Sequence, residues 1–309
     1  MRIAVPDLIS NSYFPAIAAA ELGFFAEEGL DMQLDLLFPV PQTMAALRDG
    51  ELDFVAGAAH ATLMAFPAWQ GARLLMALAQ RTYWLLVLRA DLQARRGDLS
   101  VIKGLRIGAA PGVDVSLKRL LVEAGIDPER DRVQIGPVPG TTGASVSFGL
   151  TAAQALAEGK IDGFWANAMG AEIAVRQGIG TVVLDVRRGD APPASWYYTF
   201  PALVSTEKRL REQPQSIAAA MRAVRKAQRA LQADPGRATE AAQHRFPPQE
   251  TALIAELIKR DLPYYDPTIS PEVVTRLQDF ALNVGLLAAP VPYEQVVAVE
   301  FSRLWERVK

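Results

Sequence analysis

The chain has 309 residues, half of them hydrophobic, with 32 lysine and arginine against 34 aspartate and glutamate for a net charge of −2. That length suits two domains, and the near balance of charge gives no general pull toward nucleic acid or an anionic membrane. Cysteine is absent, which excludes disulfides, thiolate metal sites, iron–sulfur clusters and cysteine nucleophiles, and no run of about eighteen apolar residues is present to enter a membrane.

The N-terminal "RIAVP" is a short β-rich run, entered with no basic segment, apolar core and cleavage site ahead of it. Either the chain is a mature form numbered from an added methionine, or it stays in the cytoplasm. The polar cluster Ser10-Asn11-Ser12 can cap a helix through "PAIAAAELGFFAEEG", which is expected to stop at Gly23 or Gly29. "LDMQLDLL" alternates as a strand does, "VPQTMAALRDG" reads as a helix ending before Gly50, and "LDFVAG" is a third strand. A helical "ATLMAFPAWQG" then precedes "RLLMALA" and "YWLLVLRADL", both apolar enough for central strands of a covered sheet.

The pattern restarts at "LRIGAAPG", a strand followed by the helix "VDVSLKRLLVEAG". The strand "RVQIGPVPG", the helix "TAAQALAEG", the strand "IDGFWAN", the helix "AEIAVRQG" and the strand "TVVLDV" complete this second set. Alternation of this kind predicts an α/β architecture with mainly parallel sheets. Beyond the strand-like "WYYTFPALVST" the chain is mostly helical. Its helices need a surface to bury, so the chain is expected to cross back and complete the first domain. The expected organisation is lobe 1 over 1–89 and 200–309 and lobe 2 over 90–199, with a two-stranded hinge near 88–91 and 197–203. One spelling also occurs twice: "LRDGELDFVAGAAH" (47–60) and "LAEGKIDGFWANA" (156–168) each carry a helix end, Gly-x-x-Asp and an apolar strand.

The segments "PAIAAAELGFFAEEGLDMQLD", "ALRDGELDFVAGAAHATLMAFPAWQGARLLMALAQ", "VLRADL", "IKGLRIGAAPGVDVSLKRLLVEAGIDPERD" and "ALAEGKIDGFW" resemble the type II periplasmic substrate-binding proteins of ABC importers. The resemblance is to the family that binds nitrate, taurine, aliphatic sulfonates or the pyrimidine precursor of thiamine, and it spans roughly residues 2 to 200. It implies two lobes, each a mainly parallel sheet flanked by helices, with a helical C-terminal segment on the first, closing by a hinge over a small molecule in the interlobe cleft. It also implies a partner permease and a periplasmic or extracytoplasmic location; a monomer without a cofactor is expected. The same fold carries enzymes. An aromatic desulfinase would need a nucleophilic cysteine, and the pyrimidine synthases carry a cysteine-containing motif; this chain has neither.

In open parallel sheets ligands bind at the carboxyl ends of strands, which makes those ends the candidate site. After the first strand stand Asn11, Ser12, Tyr13 and Phe14; the first three can hydrogen-bond a ligand, although Ser and Asn there are also ordinary helix caps, Ser12 above all. Gln42 follows the second strand. The third ends in Gly57, Ala58 and Ala59, small where backbone must approach a ligand, before His60, which can face the ligand or pack as a structural histidine. His244 is the only other histidine and no acidic cluster accompanies His60, so metal binding is not expected. Gln80 and Arg81 follow "LLMALA", where Arg81 is either a surface-loop arginine or a bidentate partner for a carboxylate or sulfonate.

In the second lobe, "APGVDVS" offers free backbone N–H groups for an anion, with Asp114 competing for them as a cap, and Thr141 and Thr142 in "PGTTG" form a weaker nest. Trp165, Trp196, Tyr13, Tyr83 and Trp84 can wall a flat ligand or pack in cores. Trp165 matches the resembled family's strand-end tryptophan; Asn167 departs from its acidic or proline residue, which points to a neutral or anionic ligand. The basic helix "RAVRKAQRALQ" reads as a solvated face that can also touch a partner. No catalytic constellation assembles from these strand ends, so capture of a small organic anion is the leading reading. The alternatives are a cytoplasmic lyase or decarboxylase of a small carboxylated substrate with His60 as acid or base, and a sensing domain of a larger regulator.

Overall fold

The computed structural model describes residues 1–141 and 147–306, and within it the chain separates into one unit of Met1–Arg81 with Thr199–Lys309 and another of Thr82–Tyr198. Thr142 lies outside the described residues. The first unit holds strands β1 (Arg2–Val5), β2 (Gln33–Leu36), β3 (Phe54–Ala58), β4 (Ala72–Ala77) and β10 (Pro201–Thr206), in the order β2-β1-β3-β10-β4. The second holds β5 (Leu85–Arg89), β6 (Arg106–Ala109), β7 (Gln134–Gly136), β8 (Gly163–Ala166) and β9 (Gly180–Asp185), in the order β7-β6-β8-β5-β9.

The two orders are one plan. In each sheet three strands pair in parallel and the next, β10 or β5, runs antiparallel to both of its neighbours. The sheets are therefore mixed, with the antiparallel strand supplied by the first segment the chain contributes on entering that unit from the other. This corrects the expected first crossing. Leu85–Arg89 pairs with β8 and β9, Leu85 opposite Ala166 and Leu86 opposite Leu184, so the chain leaves the first unit at Arg81 rather than after Arg89. An apolar run announces a buried strand but says nothing of which sheet receives it.

The repeated spelling has a register function. Arg2 N–H donates to Asp53 Oδ2 at 2.6 Å while Asp53 N–H donates to the Arg2 carbonyl at 2.9 Å. Arg106 N–H donates to Asp162 Oδ2 at 2.9 Å and Asp162 N–H to the Arg106 carbonyl at 2.8 Å. The aspartate of each Gly-x-x-Asp thus latches its strand to the start of the parallel neighbour, β3 to β1 and β8 to β6. Each carboxylate also meets a guanidinium, Arg209 at Asp53 and Arg106 at Asp162. Hydrogen bonding from Arg106 holds the Asp162 carboxyl below the usual carboxylate range despite some burial.

Two helices differ from expectation for backbone reasons. The first breaks into Phe14–Glu21 and Phe24–Glu27 because Gly23 takes the left-handed conformation, φ 77°. "ATLMAFPAWQG" yields only Thr62–Ala65 and short 3-10 turns, since Pro67 interrupts it and Ala68 and Trp69 have positive φ.

The C-terminal helices belong to the first unit. Helix Pro214–Ala233 packs against Phe14–Glu21 and Phe24–Glu27 and buries Ile217, Ala220, Met221 and Val224. Burial of each of the larger of these side chains contributes about 1.5–3 kcal/mol. Its basic face is occupied internally: Arg222 pairs with Glu28 at 2.6 Å, and Lys226 with Glu28 at 2.7 Å and Glu27 at 3.2 Å. Burial alone raises the Glu28 pKa, but the two cations more than offset it and leave it lowered.

Candidate functional site

The carboxyl end of the first sheet brings together segments distant in sequence. Pro201 pairs with Ala58, which sets Thr199 beside His60. His60 is fully buried; its Nδ1 lies 3.0 Å from Thr199 Oγ1, and its ring meets Phe280 edge-on at 5.8 Å. It is thereby held as a packed, hydrogen-bonded imidazole. Ala58 is buried within the strand.

Beside them, the chain after β1 turns through a buried polar loop. Ser10 Oγ accepts from Ser12 N–H at 3.1 Å, and Tyr13 accepts the first helical bonds from Ala16 and Ile17 at its carbonyl. Asn11 donates its side-chain N–H to Asp261 Oδ2 at 2.7 Å, with both residues buried. Asn11 Oδ1 and Ser12 Oγ are buried without a hydrogen-bond partner among the described residues. Phe14 belongs to the core, fully buried and 6.0 Å edge-on from Phe246. Gln42 is exposed on helix Val40–Arg48.

Gln80 and Arg81 end the first unit's N-terminal segment. The Gln80 amide N–H groups donate to the carbonyls of Asp266 at 2.9 Å and Thr268 at 2.7 Å, which ties this turn to the C-terminal helices. Arg81 takes a left-handed backbone, φ 66°, and its guanidinium lies 5.8 Å from the Tyr264 ring centroid.

The second unit presents an aromatic row at the matching end of its sheet. Trp165, last but one in β8, is fully buried and donates its indole N–H to Ser116 Oγ at 3.0 Å. Trp84 stands 5.9 Å from Trp165, Tyr83 is 5.0 Å from Trp84, and the Arg187 guanidinium lies 5.9 Å from the Tyr83 ring. The row runs from a hydroxyl to a buried cation. Burial raises the nearby Asp185 carboxyl pKa, against the opposing pull of Arg188 and Arg187. Asp114 accepts from Gly112 N–H at 3.1 Å and pairs with Lys118 at 2.6 Å, so it caps its own turn. Thr141 donates to the Val138 carbonyl at 2.7 Å, and Asn167 caps helix Ala168–Arg176 by accepting from Met169 N–H at 3.0 Å. Trp196 is half-buried and its carbonyl accepts from Thr82 N–H at 2.9 Å.

Sequence reasoning missed Asp261, Thr199 and Arg187; Ser116 closes the expected strand-end segment "APGVDVS". Arg187 had the one readable signal, in that it follows a strand, but "DVRRGD" looks like a surface turn until its burial is known. Among the described residues no group of three or more His, Asp or Glu side chains can hold a metal ion. No described helix is long and apolar enough to cross a membrane.

This pair of five-stranded mixed sheets is the fold of the periplasmic solute-binding proteins. The nitrate-binding protein NrtA of Synechocystis PCC 6803 superposes with a TM-score of 0.72 at 15% identity, over 98% of this chain and 86% of that one. The aliphatic sulphonate binding protein SsuA of Escherichia coli gives 0.70 at 15% identity, over 98% of each chain. The desulfurization enzyme DSZB gives 0.62 at 18% identity, over 98% and 97%. The NMT1/THI5 like family model matches residues 10–238, and the chain belongs to that family. No curated protein sequence matches it.

Proposed function

We propose that this protein is the solute-binding component of an ABC-type importer, acting outside the cytoplasm with a membrane permease as partner, and that its solute is a small organic anion. The observation that carries the reading is the row Arg187–Tyr83–Trp84–Trp165, where a buried guanidinium ends a line of aromatic rings at the carboxyl end of the parallel strands of its sheet. A flat or apolar body suits the rings and an oxyanion suits the guanidinium. The whole-length likeness to NrtA and SsuA supports the transport role, as does membership of the family.

Binding raises stability by mass action, by about 2.7 kcal/mol at a ligand concentration one hundred times Kd. A thermal-shift screen of carboxylates, sulfonates, nitrate and pyrimidines is expected to give its largest shifts with organic anions. The reading fails if pyrimidines alone bind. The enzyme reading, favoured by the likeness to DSZB, is tested by incubating each hit with the protein and following it by mass spectrometry; turnover without transport components would establish it.

A further inference from the structure

The turn that follows β9 buries an arginine. Arg187 is the second residue of the turn Val186 to Gly189, which Gly189 N–H closes by donating to the Val186 carbonyl at 3.1 Å, with Gly189 left-handed at φ 89°. Turns run over surfaces, and an arginine in one is ordinarily solvated. Arg188 behaves in that way, half exposed and paired with Asp185 at 3.2 Å. Arg187 is only 5% exposed, and its guanidinium lies 5.9 Å from the Tyr83 ring centroid. Holding one of two consecutive arginines inward costs side-chain entropy and hydration, so the turn needs an anchor outside the guanidinium itself.

Asp190 is that anchor. Its Oδ2 accepts from Asp185 N–H at 2.8 Å, while its own N–H reaches the Asp185 carbonyl at 3.4 Å, so the two residues bracket Val186 to Gly189. The same oxygen accepts from Arg96 Nε at 2.8 Å and lies 2.7 Å from Arg96 Nη2. Arg96 is fixed in turn, because Gly97 N–H donates to the Val183 carbonyl of β9 at 2.8 Å. Val186 N–H donates to the Trp84 carbonyl at 3.3 Å, which ties the turn to the aromatic row. An ionised carboxylate can accept several hydrogen bonds at once, and this one joins the segment after β5 to both ends of the turn.

We infer that Asp190, clamped by Arg96, is a positioning residue for the bound anion: it fixes the backbone from which Arg187 is presented. All of these residues lie in the second unit. This rests on the solute-binding reading and deepens it, since the affinity for an oxyanion then depends on a carboxylate that meets no solute atom. A displaced guanidinium loses its charge-assisted bonds, which are directional.

Calorimetry on the whole protein first measures benzoate, benzenesulfonate and ethanesulfonate, and the tightest of them is carried through the variants. Asp190→Ala is expected to weaken it about tenfold, and Asp190→Asn, which keeps an oxygen for Asp185 N–H and Arg96, to recover most of that loss. Arg96→Gln removes the clamp without touching the turn and is expected to weaken binding about threefold. The deciding measurement is the double variant. In an Arg187→Gln background Asp190→Ala is expected to have no further effect, because a residue acting through Arg187 has nothing left to position. Equal losses in both backgrounds, or wild-type affinity in both Asp190→Ala and Arg96→Gln, overturn the positioning role and leave the solute-binding reading standing. Should none of the three anions bind wild type, or Arg187→Gln bind as tightly as wild type, the anion reading falls and the inference falls with it.

Discussion

Trp165 and Ser116 form a closed hydrogen-bonded pair: the indole N–H donates to Ser116 Oγ at 3.0 Å, and the Ser116 hydroxyl donates onward to the Val113 carbonyl at 2.6 Å. The tryptophan thus has no polar atom to spare for a ligand and offers only its ring. Ser116→Ala strands a buried indole N–H and is expected to cost about 1–3 kcal/mol. Chemical denaturation followed by tryptophan fluorescence measures it, and Trp165→Phe in the Ser116→Ala background is expected to recover part of the loss.

Arg187 is the charge that this row places against aromatic rings, and its removal distinguishes it from Arg81. Charge-assisted hydrogen bonds contribute about 1.5–3 kcal/mol, so Arg187→Gln is expected to weaken binding of an organic anion by roughly 10–100-fold. Arg81→Ala, which removes a cation resting on Tyr264, is expected to change it less. Isothermal titration with the best anion of the screen compares the two variants.

Asp162 ties acid stability to the latch between β8 and β6. Because Arg106 lowers its pKa in the folded state, the latch contributes in full above the unfolded value of about 3.9 and is lost as pH falls through the lower folded value. Arg106 is half exposed, which limits the ion pair to about 1 kcal/mol or less. Asp162→Asn is expected to melt below wild type at pH 7, with the difference shrinking below about pH 4, as thermal melts across that range would record.

Helices Phe148–Ala157 and Ala168–Arg176 meet at two glycines. A Cβ on Gly170 would stand 2.6 Å from the Gly149 carbonyl oxygen, whereas one on Gly149 meets its nearest neighbour at 3.2 Å. Gly170→Ala is therefore expected to destabilise by about 1–3 kcal/mol or more, and Gly149→Ala by less. Denaturant midpoints for the two variants give the order.

His60 is held by Thr199 and Phe280, with no cluster of metal-ligating side chains among the described residues. Neither zinc nor EDTA is expected to move the melting temperature. His60→Ala is expected to cost about 2–4 kcal/mol through the lost hydrogen bond and the cavity.

Much of this molecule was written locally. Periodicity and Gly/Pro punctuation locate ten strands and the main helices, because side-chain spacing along one segment reports which face that segment buries. The doubled Gly-x-x-Asp announced two related halves, and the absence of cysteine removed whole classes of chemistry. Pairing partners are a different matter. That Leu85–Arg89 joins the second sheet, that Asp53 and Asp162 latch neighbouring strands, and that Asp261 orients an asparagine 250 residues away are contacts between remote segments. A single segment carries the hydrophobicity that drives it into a core, but which group meets it there, and so whether a polar atom is spent on the fold or kept for a ligand, is decided only when the tertiary structure closes around it.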